Sequence, residues 1–173
     1  MGGEEAVDVV DEHDSVVGSS TVGECLEKGL LHRAVAIVVV RKNGGVILQE
    51  RSKHDLWHPG KWTLSCTGHV KAGERYEDAA RRELQEELGL DSRLDLVKRY
   101  LLPPIREGPL TEREWVSLYT TTTDSQVVID PVELESVDEY DGPRLQRMLD
   151  GDKMTPDAII LLREYLRLRS RIS

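Results

Sequence analysis

The order of apolar segments predicts an α/β fold in which a mixed central sheet lies between helices. Three stretches carry that expectation. Ala34 to Arg41 is β-branched and nearly all apolar, as suits a strand buried on both faces, and Asn43-Gly44 is a hairpin turn into a second strand, Val46 to Glu50. Arg75 to Leu88 holds strong helix formers without Gly or Pro, and Gly89 stands where a left-handed cap ends a helix. Thr155-Pro156 reads as an N-cap and first-turn pair for a helix over Asp157 to Arg169, whose Ile159, Ile160, Leu161, Leu162, Tyr165 and Leu166 form one broad apolar face.

The remaining elements follow in order. Ala6 to Val10 and Ser15 to Val17 read as a small hairpin across the polar turn Asp11 to Asp14. Thr21 with Glu24 three residues on forms a capping box, so Val22 to Lys28 is expected as a short helix stopped by Gly29. Arg51 to Lys61, with its Pro59-Gly60 reversal, reads as a loop beside the site, and Trp62 to Thr67 as the strand that follows it. Leu94 to Leu102 is a strand closed by Pro103-Pro104, and Glu112 to Thr122 another, in which Glu112, Glu114, Val116 and Leu118 share a face. Val132 to Tyr140 is the last strand, and Pro143 opens a short helix to Leu149.

A length of 173 residues suits a single domain, 1–173, with residues 1–30 as the hairpin and short helix, 68–90 as the central loop-helix segment and 155–170 as the closing helix. The longest apolar run, Ala34 to Val40, is too short to cross a bilayer, and the acidic start lacks a signal peptide's basic-then-apolar plan, so a cytoplasmic location is expected. Cys25 and Cys66 are the only cysteines and show no zinc spacing, so both are expected as reduced thiols. A net charge of −9 without any basic block argues against nucleic-acid or anionic-membrane partners. Oligomeric state is open.

Chemistry concentrates on Gly68 to Leu90. At about 100° per residue, Glu83, Glu86 and Glu87 fall on one edge of the helix beside the apolar stripe Tyr76, Ala80, Leu84 and Leu88. Clustered carboxylates repel unless a cation lies among them, and hard oxygen ligands suit Mg²⁺ or Mn²⁺. Arg82, beside Glu86 on the wheel, can orient a carboxylate through a bidentate pair. Glu77, Asp78, Arg81 and Gln85 project away and read as an ordinary solvated face.

Gly68, five residues, Glu74, seven residues, then Arg82-Glu83-Leu84-Gln85-Glu86-Glu87-Leu88-Gly89-Leu90 resembles the complete Nudix box. The resemblance implies an α/β/α sandwich and Mg²⁺-dependent attack of water on a small-molecule diphosphate. By position it makes Glu83, Glu86 and Glu87 metal ligands or water-activating groups, Arg82 an orienting group, the Gly68 carbonyl a metal ligand and Glu74 a support.

Leu31-His32-Arg33-Ala34-Val35, Arg51, Pro59-Gly60, Trp62-Thr63, His69 and Glu112-Arg113-Glu114 further resemble the Nudix branch that includes isopentenyl-diphosphate isomerase. That likeness implies a metal site at His32, His69, Glu112 and Glu114, proton transfer by Glu114, diphosphate binding by Arg51, and substrate contacts by Arg33 and Trp62. Single histidines are more often structural, and Arg51 reads equally as an exposed charge at a strand end.

The isomerase shuttles protons with a cysteine at the position of Thr67, and Cys66 is expected on the opposite face of its strand. An intact box and a threonine at 67 favour hydrolysis, with isomerisation as the alternative. A non-catalytic binding module is the third possibility, and the retained set of mutually repelling glutamates argues against it. Trp57, Trp62 and Trp115 are expected near the site, as stacking surfaces or as core.

Overall fold

The computed structural model describes residues 2–170. After a 3₁₀ turn at Gly2–Glu4, β1 (Ala6–Val10) and β2 (Val16–Thr21) form the expected hairpin, with β2 running further than its apolar start suggested. Helix α1 (Val22–Lys28) begins where Thr21 Oγ1 accepts from the Glu24 amide at 3.3 Å and ends at Gly29, φ 62°. Glu24 spends its own carboxylate on Ser20 and Lys28, so the box is capped from one side only.

The sheet is built on β3 (His32–Val40), which pairs in parallel with β10 (Glu114–Thr122) along its whole length and antiparallel with β6 (Cys66–His69). β4 (Val46–Arg51) meets β3 only at Val40 and Val46, then turns to pair with β5 (Trp62–Thr63) and β11 (Leu134–Tyr140). That divergence splits the sheet and leaves room between β4 and β6. β7 (Asp95–Leu101) covers the other edge of β10.

Two apolar layers fill the faces. α2 (Tyr76–Leu88) lays Tyr76, Ala79, Ala80, Leu84 and Leu88 on Val35, Ile37, Val39 and Cys66. α3 (Gly142–Asp150) and α4 (Pro156–Arg169) lay Leu145, Leu149, Leu161, Leu162 and Tyr165 on Ala36, Val38, Leu48 and Leu118. Alternation along β3 assigns its even residues to the α4 side and its odd residues to the α2 side. Each leucine buried this way contributes about 1.5–3 kcal/mol. The result is a mixed sheet between helices, an α/β/α sandwich, and no described helix is long and apolar enough to cross a membrane.

Two expectations need correction. Trp62 to Thr67 is two short strands, because the buried Ser65 hydroxyl bridges strands, donating to the Ile47 carbonyl (2.5 Å) and accepting from the Val39 amide (2.7 Å). The expected strand from Glu112 is broken at Arg113: Glu112 ends β9 (Leu110–Glu112), which forms a separate hairpin with β8 (Ile105–Glu107) through Gly108, φ 56°. Thr155 and Pro156 stand at the N-cap and in the first turn of α4 as expected, with the Thr155 hydroxyl turned to Thr63 at 3.4 Å instead of to the helix amides.

Candidate active site

Register along β3 assembles half of the site. Glu114 stands opposite His32 across the parallel β10 pairing, and His69 stands opposite Ala34 across the antiparallel β6 pairing. Residues opposite one another share a sheet face, so all three side chains reach the α4 side. The last residue of β9 adds Glu112. Donor atoms of His32, His69, Glu112 and Glu114 all lie within 4.8 Å of one another.

Their protonation is set by burial. His32 is fully buried, and its Nδ1 faces the Leu30 carbonyl at 3.0 Å, which fixes the proton there and leaves Nε2 as a bare lone pair. That Nε2 has no hydrogen-bond partner among the described residues and lies 3.6 Å from Glu114 Oε1; His69 Nε2 lies 3.7 Å from the same oxygen. Loss of hydration holds both imidazoles neutral, His69 with its pKa lowered to about 3. Burial and the nearby Asp157 charge raise the Glu114 pKa to about 8, and burial with the Glu114 charge raises Glu112 well above the ordinary carboxylate value. Neutral imidazole nitrogens beside carboxylates that give up protons only to a competing cation are a donor set that fits a divalent metal.

The other half comes from α2. Glu83, Glu86 and Glu87 occupy one edge of the helix, with Glu83 and Glu87 buried and Glu86 exposed. Glu87 enters the gap between β4 and β6, where it accepts from Gln49 Nε2 at 3.2 Å and from the Thr67 amide at 3.4 Å. Glu83 reaches in over Gly68, where any Cβ would overlap its carboxylate, which is the physical reason for glycine at that position. Burial raises the pKa of Glu83 to about 7, against the pull of Arg82, and that of Glu87 to about 8, with the Glu83 charge assisting.

Arg82 organises this edge. Its Nε and one terminal nitrogen grip Glu74 at 2.9 Å each, and the latter also donates to the His69 carbonyl at 3.1 Å. The other terminal nitrogen donates to Glu83 at 2.5 Å and Glu86 at 3.3 Å. The sequence paired Arg82 with Glu86; its firmer partner is Glu74, which stands before the helix and also accepts from the Lys71 amide at 3.0 Å.

Both halves open into one cleft of about 460 Å³, lined by Gly68, His69, Arg82, Glu83, Glu86, Glu87, Glu112, Glu114 and Arg51, and also by Thr67, Ala34, Ala36, Val116 and Leu161. Arg51 is aimed by its Nε bond to the Trp57 carbonyl (2.9 Å) and by Asp55 (3.0 Å).

Two expected substrate contacts lie elsewhere. Arg33 points to the α2 side of β3, where Asp14 takes its Nε at 2.6 Å and Tyr76 lies under the guanidinium. Trp62 packs edge-on against Tyr140 and does not line the cleft. Trp115 donates to the Asp11 carbonyl on the far face, so of the three tryptophans only Trp57 lines the cleft. Sequence reasoning missed Gln49 and Asp157. Gln49 was detectable as a polar residue inside an apolar strand; Asp157 looked like an ordinary first-turn acid.

Comparison with known proteins bears on this arrangement. Residues 30–157 match the NUDIX domain model. Isopentenyl-diphosphate Delta-isomerase 2 of Photorhabdus laumondii is 34% identical over 154 residues, covering 89% of this chain and 85% of that protein. An uncharacterised Nudix hydrolase of Pseudomonas aeruginosa is 32% identical over 161 residues, covering 91% of this chain and 90% of that one. The crystal structure of DR0079 from Deinococcus radiodurans superposes with a TM-score of 0.78 at 22% identity, over 92% of this chain and 98% of that one, a likeness of fold. The matched segment spans β3 through the start of α4 and contains the glutamates of α2 and all four groups gathered around Glu114, and on this ground the chain belongs to the Nudix family.

Proposed function

We propose that the protein hydrolyses the diphosphate linkage of a small organic or nucleoside diphosphate. One observation carries this reading: the cleft presents Glu83, Glu86, Glu87 and Arg82 together, and presents Thr67 where proton shuttling would need a thiol. Cys66 and Cys25 are both buried outside the cleft lining. Burial and the Glu87 and Glu83 carboxylates push the Cys66 thiol well above its ordinary pKa, so it stays protonated and is a poor base.

Glu83, Glu86 and Glu87 with the Gly68 carbonyl are the groups proposed to hold Mg²⁺ or Mn²⁺, and His32, His69, Glu112 and Glu114 those proposed to hold a second ion. A divalent cation in such a site neutralises phosphate charge and acidifies water. The chain's own residues do the rest. Arg82 fixes the Glu83 carboxylate, and Arg51 faces the cleft as the cation for a phosphate oxygen. Glu83, held by Arg82 at the edge of the cleft, is the carboxylate proposed to accept the proton of the attacking water. Water oxygen bonds to phosphorus, the bridging P–O bond breaks, and the phosphate-bearing fragment leaves with the electron pair.

The second reading is isomerisation of isopentenyl diphosphate, favoured by the similarity to the Photorhabdus isomerase and by the gathering of His32, His69, Glu112 and Glu114. Incubation of wild-type protein and Mg²⁺ with nucleoside and prenyl diphosphates, following phosphate release and product identity together, separates the two. Hydrolysis predicts released phosphate; dimethylallyl diphosphate without phosphate supports the isomerase.

A further inference from the structure

The loop that follows β4 aims the cation of the cleft. The Arg51 amide donates to the Lys61 carbonyl at 2.9 Å, so the loop leaves and returns at one point, and the Asp55 and Lys61 amides donate back to the Ser52 and His58 carbonyls at 3.2 Å each. A loop closed on itself in this way is placed by what it touches outside. Two such contacts hold the part that lines the cleft: the Trp57 ring is buried among Val22, Leu26 and Ile105, and the next residue, His58, is clasped by Glu107. One Glu107 oxygen accepts from the His58 amide at 2.8 Å and lies 2.9 Å from His58 Nδ1. Burial holds the imidazole neutral against the pull of Glu107, and this contact places its single N–H on Nδ1. His58 has φ 47°, in the left-handed region that a residue with a Cβ keeps only where its surroundings hold it. The carbonyl just before that twist, on Trp57, is the one that takes Arg51 Nε at 2.9 Å. Glu107 ends β8, and the hairpin it belongs to ends in turn on Glu112.

We propose that Glu107 is a positioning residue for Arg51: by clasping His58 it fixes the Trp57 carbonyl that orients the guanidinium, and it refers that cation to the same hairpin that supplies Glu112. The inference rests on the cleft being the substrate site and Arg51 its cation for a phosphate oxygen, as argued above. Glu107 acts through His58 and Trp57 and touches no substrate. Its side chain is 40% exposed, so its removal opens no cavity.

Binding of methylenediphosphonate, a non-hydrolysable probe, to the Mg²⁺-supplemented protein tests it by calorimetry. Arg51→Met lowers affinity about tenfold to a hundredfold, as expected for hydrogen bonds between charged groups. Glu107→Ala lowers it about tenfold through the misplaced guanidinium. Glu107→Gln, which keeps an oxygen to accept from both His58 donors, retains most of the wild-type affinity. In the Arg51→Met background Glu107→Ala adds no further loss, because the group it positions is already gone. A general loosening of the fold would weaken both backgrounds alike. The Arg51 Nε–H resonance, assigned by its disappearance in Arg51→Met, is protected from solvent exchange in wild type and in Glu107→Gln, and loses that protection in Glu107→Ala.

Full affinity in Glu107→Ala beside weakened binding in Arg51→Met overturns the proposal, as do additive losses in the double variant. A Glu107→Gln protein that binds as weakly as Arg51→Met overturns it whether or not Glu107→Ala folds. Full affinity in Arg51→Met removes both the proposal and the role given to Arg51. The hydrolytic reading fails separately: binding that depends on Arg51 and Glu107 without phosphate release from any diphosphate refutes hydrolysis and supports the positioning, whereas phosphate release with a KM untouched by Glu107→Ala refutes the positioning alone.

Discussion

Glu87→Gln removes one buried carboxylate and leaves its shape. In the metal-free protein burial lifts the Glu87 pKa from 4.5 to about 8. A group whose folded pKa is raised contributes stability that is fully present below the unfolded value and is lost as pH rises through the folded one. The loss therefore runs from about pH 4.5 to about pH 8, and at roughly 1.4 kcal/mol per pKa unit it amounts to on the order of 3–5 kcal/mol by pH 9. Gln at 87 does not titrate and can still accept from Gln49 Nε2, so the variant escapes that loss. In chelator at pH 9, Glu87→Gln melts above wild type by roughly 10 °C, taking 2–4 °C per kcal/mol for a chain of this size; at pH 5 the two converge. Mg²⁺ at a hundredfold excess over its Kd stabilises wild type by about 2.7 kcal/mol and closes most of that gap, while the variant gains little. Scanning calorimetry across pH 5–9 with and without Mg²⁺ reads all of this. A variant that melts below wild type at pH 9 in chelator, or one that keeps the full Mg²⁺ response, refutes the placement of Glu87 as a desolvated metal ligand.

Other expectations follow from single contacts. Gly68→Ala drives a methyl into the Glu83 carboxylate, so kcat for phosphate release falls at least tenfold while the circular dichroism spectrum is unchanged. Arg33→Met breaks a partly buried ion pair with Asp14 and lowers stability by about 1–3 kcal/mol in urea titration, yet leaves KM for any diphosphate unchanged because Arg33 lies on the α2 side of β3. Crystals soaked in Mn²⁺ show anomalous density within ligand distance of His32 Nε2 and Glu114; density confined to α2 would return both histidines to a structural role.

What the sequence could disclose depended on how local each determinant is. α1 and α2 were legible to the residue or nearly so because Thr21, Gly29 and Gly89 set their ends through contacts a few residues long. The α2 glutamates were legible for the same reason, since one helix places them. The group around Glu114 draws on β3, β6 and β10, which register across the sheet aligns, and on β9 of a separate hairpin; a sequence shows the residue types and not that placement. The β8–β9 hairpin escaped because three-residue strands carry too little alternation to detect, and its loss made Glu112 look like part of β10. Arg33 and Trp62 were assigned by likeness in sequence alone, and the face each occupies sends the first to Asp14 and the second to Tyr140.

The central claim is that this cleft cleaves a diphosphate and does not move a proton across a carbon–carbon double bond. Wild-type protein with Mg²⁺ and isopentenyl diphosphate or ADP, followed by ³¹P and ¹H NMR in the same tube, tests it most directly. Phosphate release and negligible dimethylallyl diphosphate are expected, because Thr67 lines the cleft and the Cys66 thiol is buried and protonated. Robust conversion to dimethylallyl diphosphate that survives Cys66→Ala, with no phosphate released from either substrate, would contradict it.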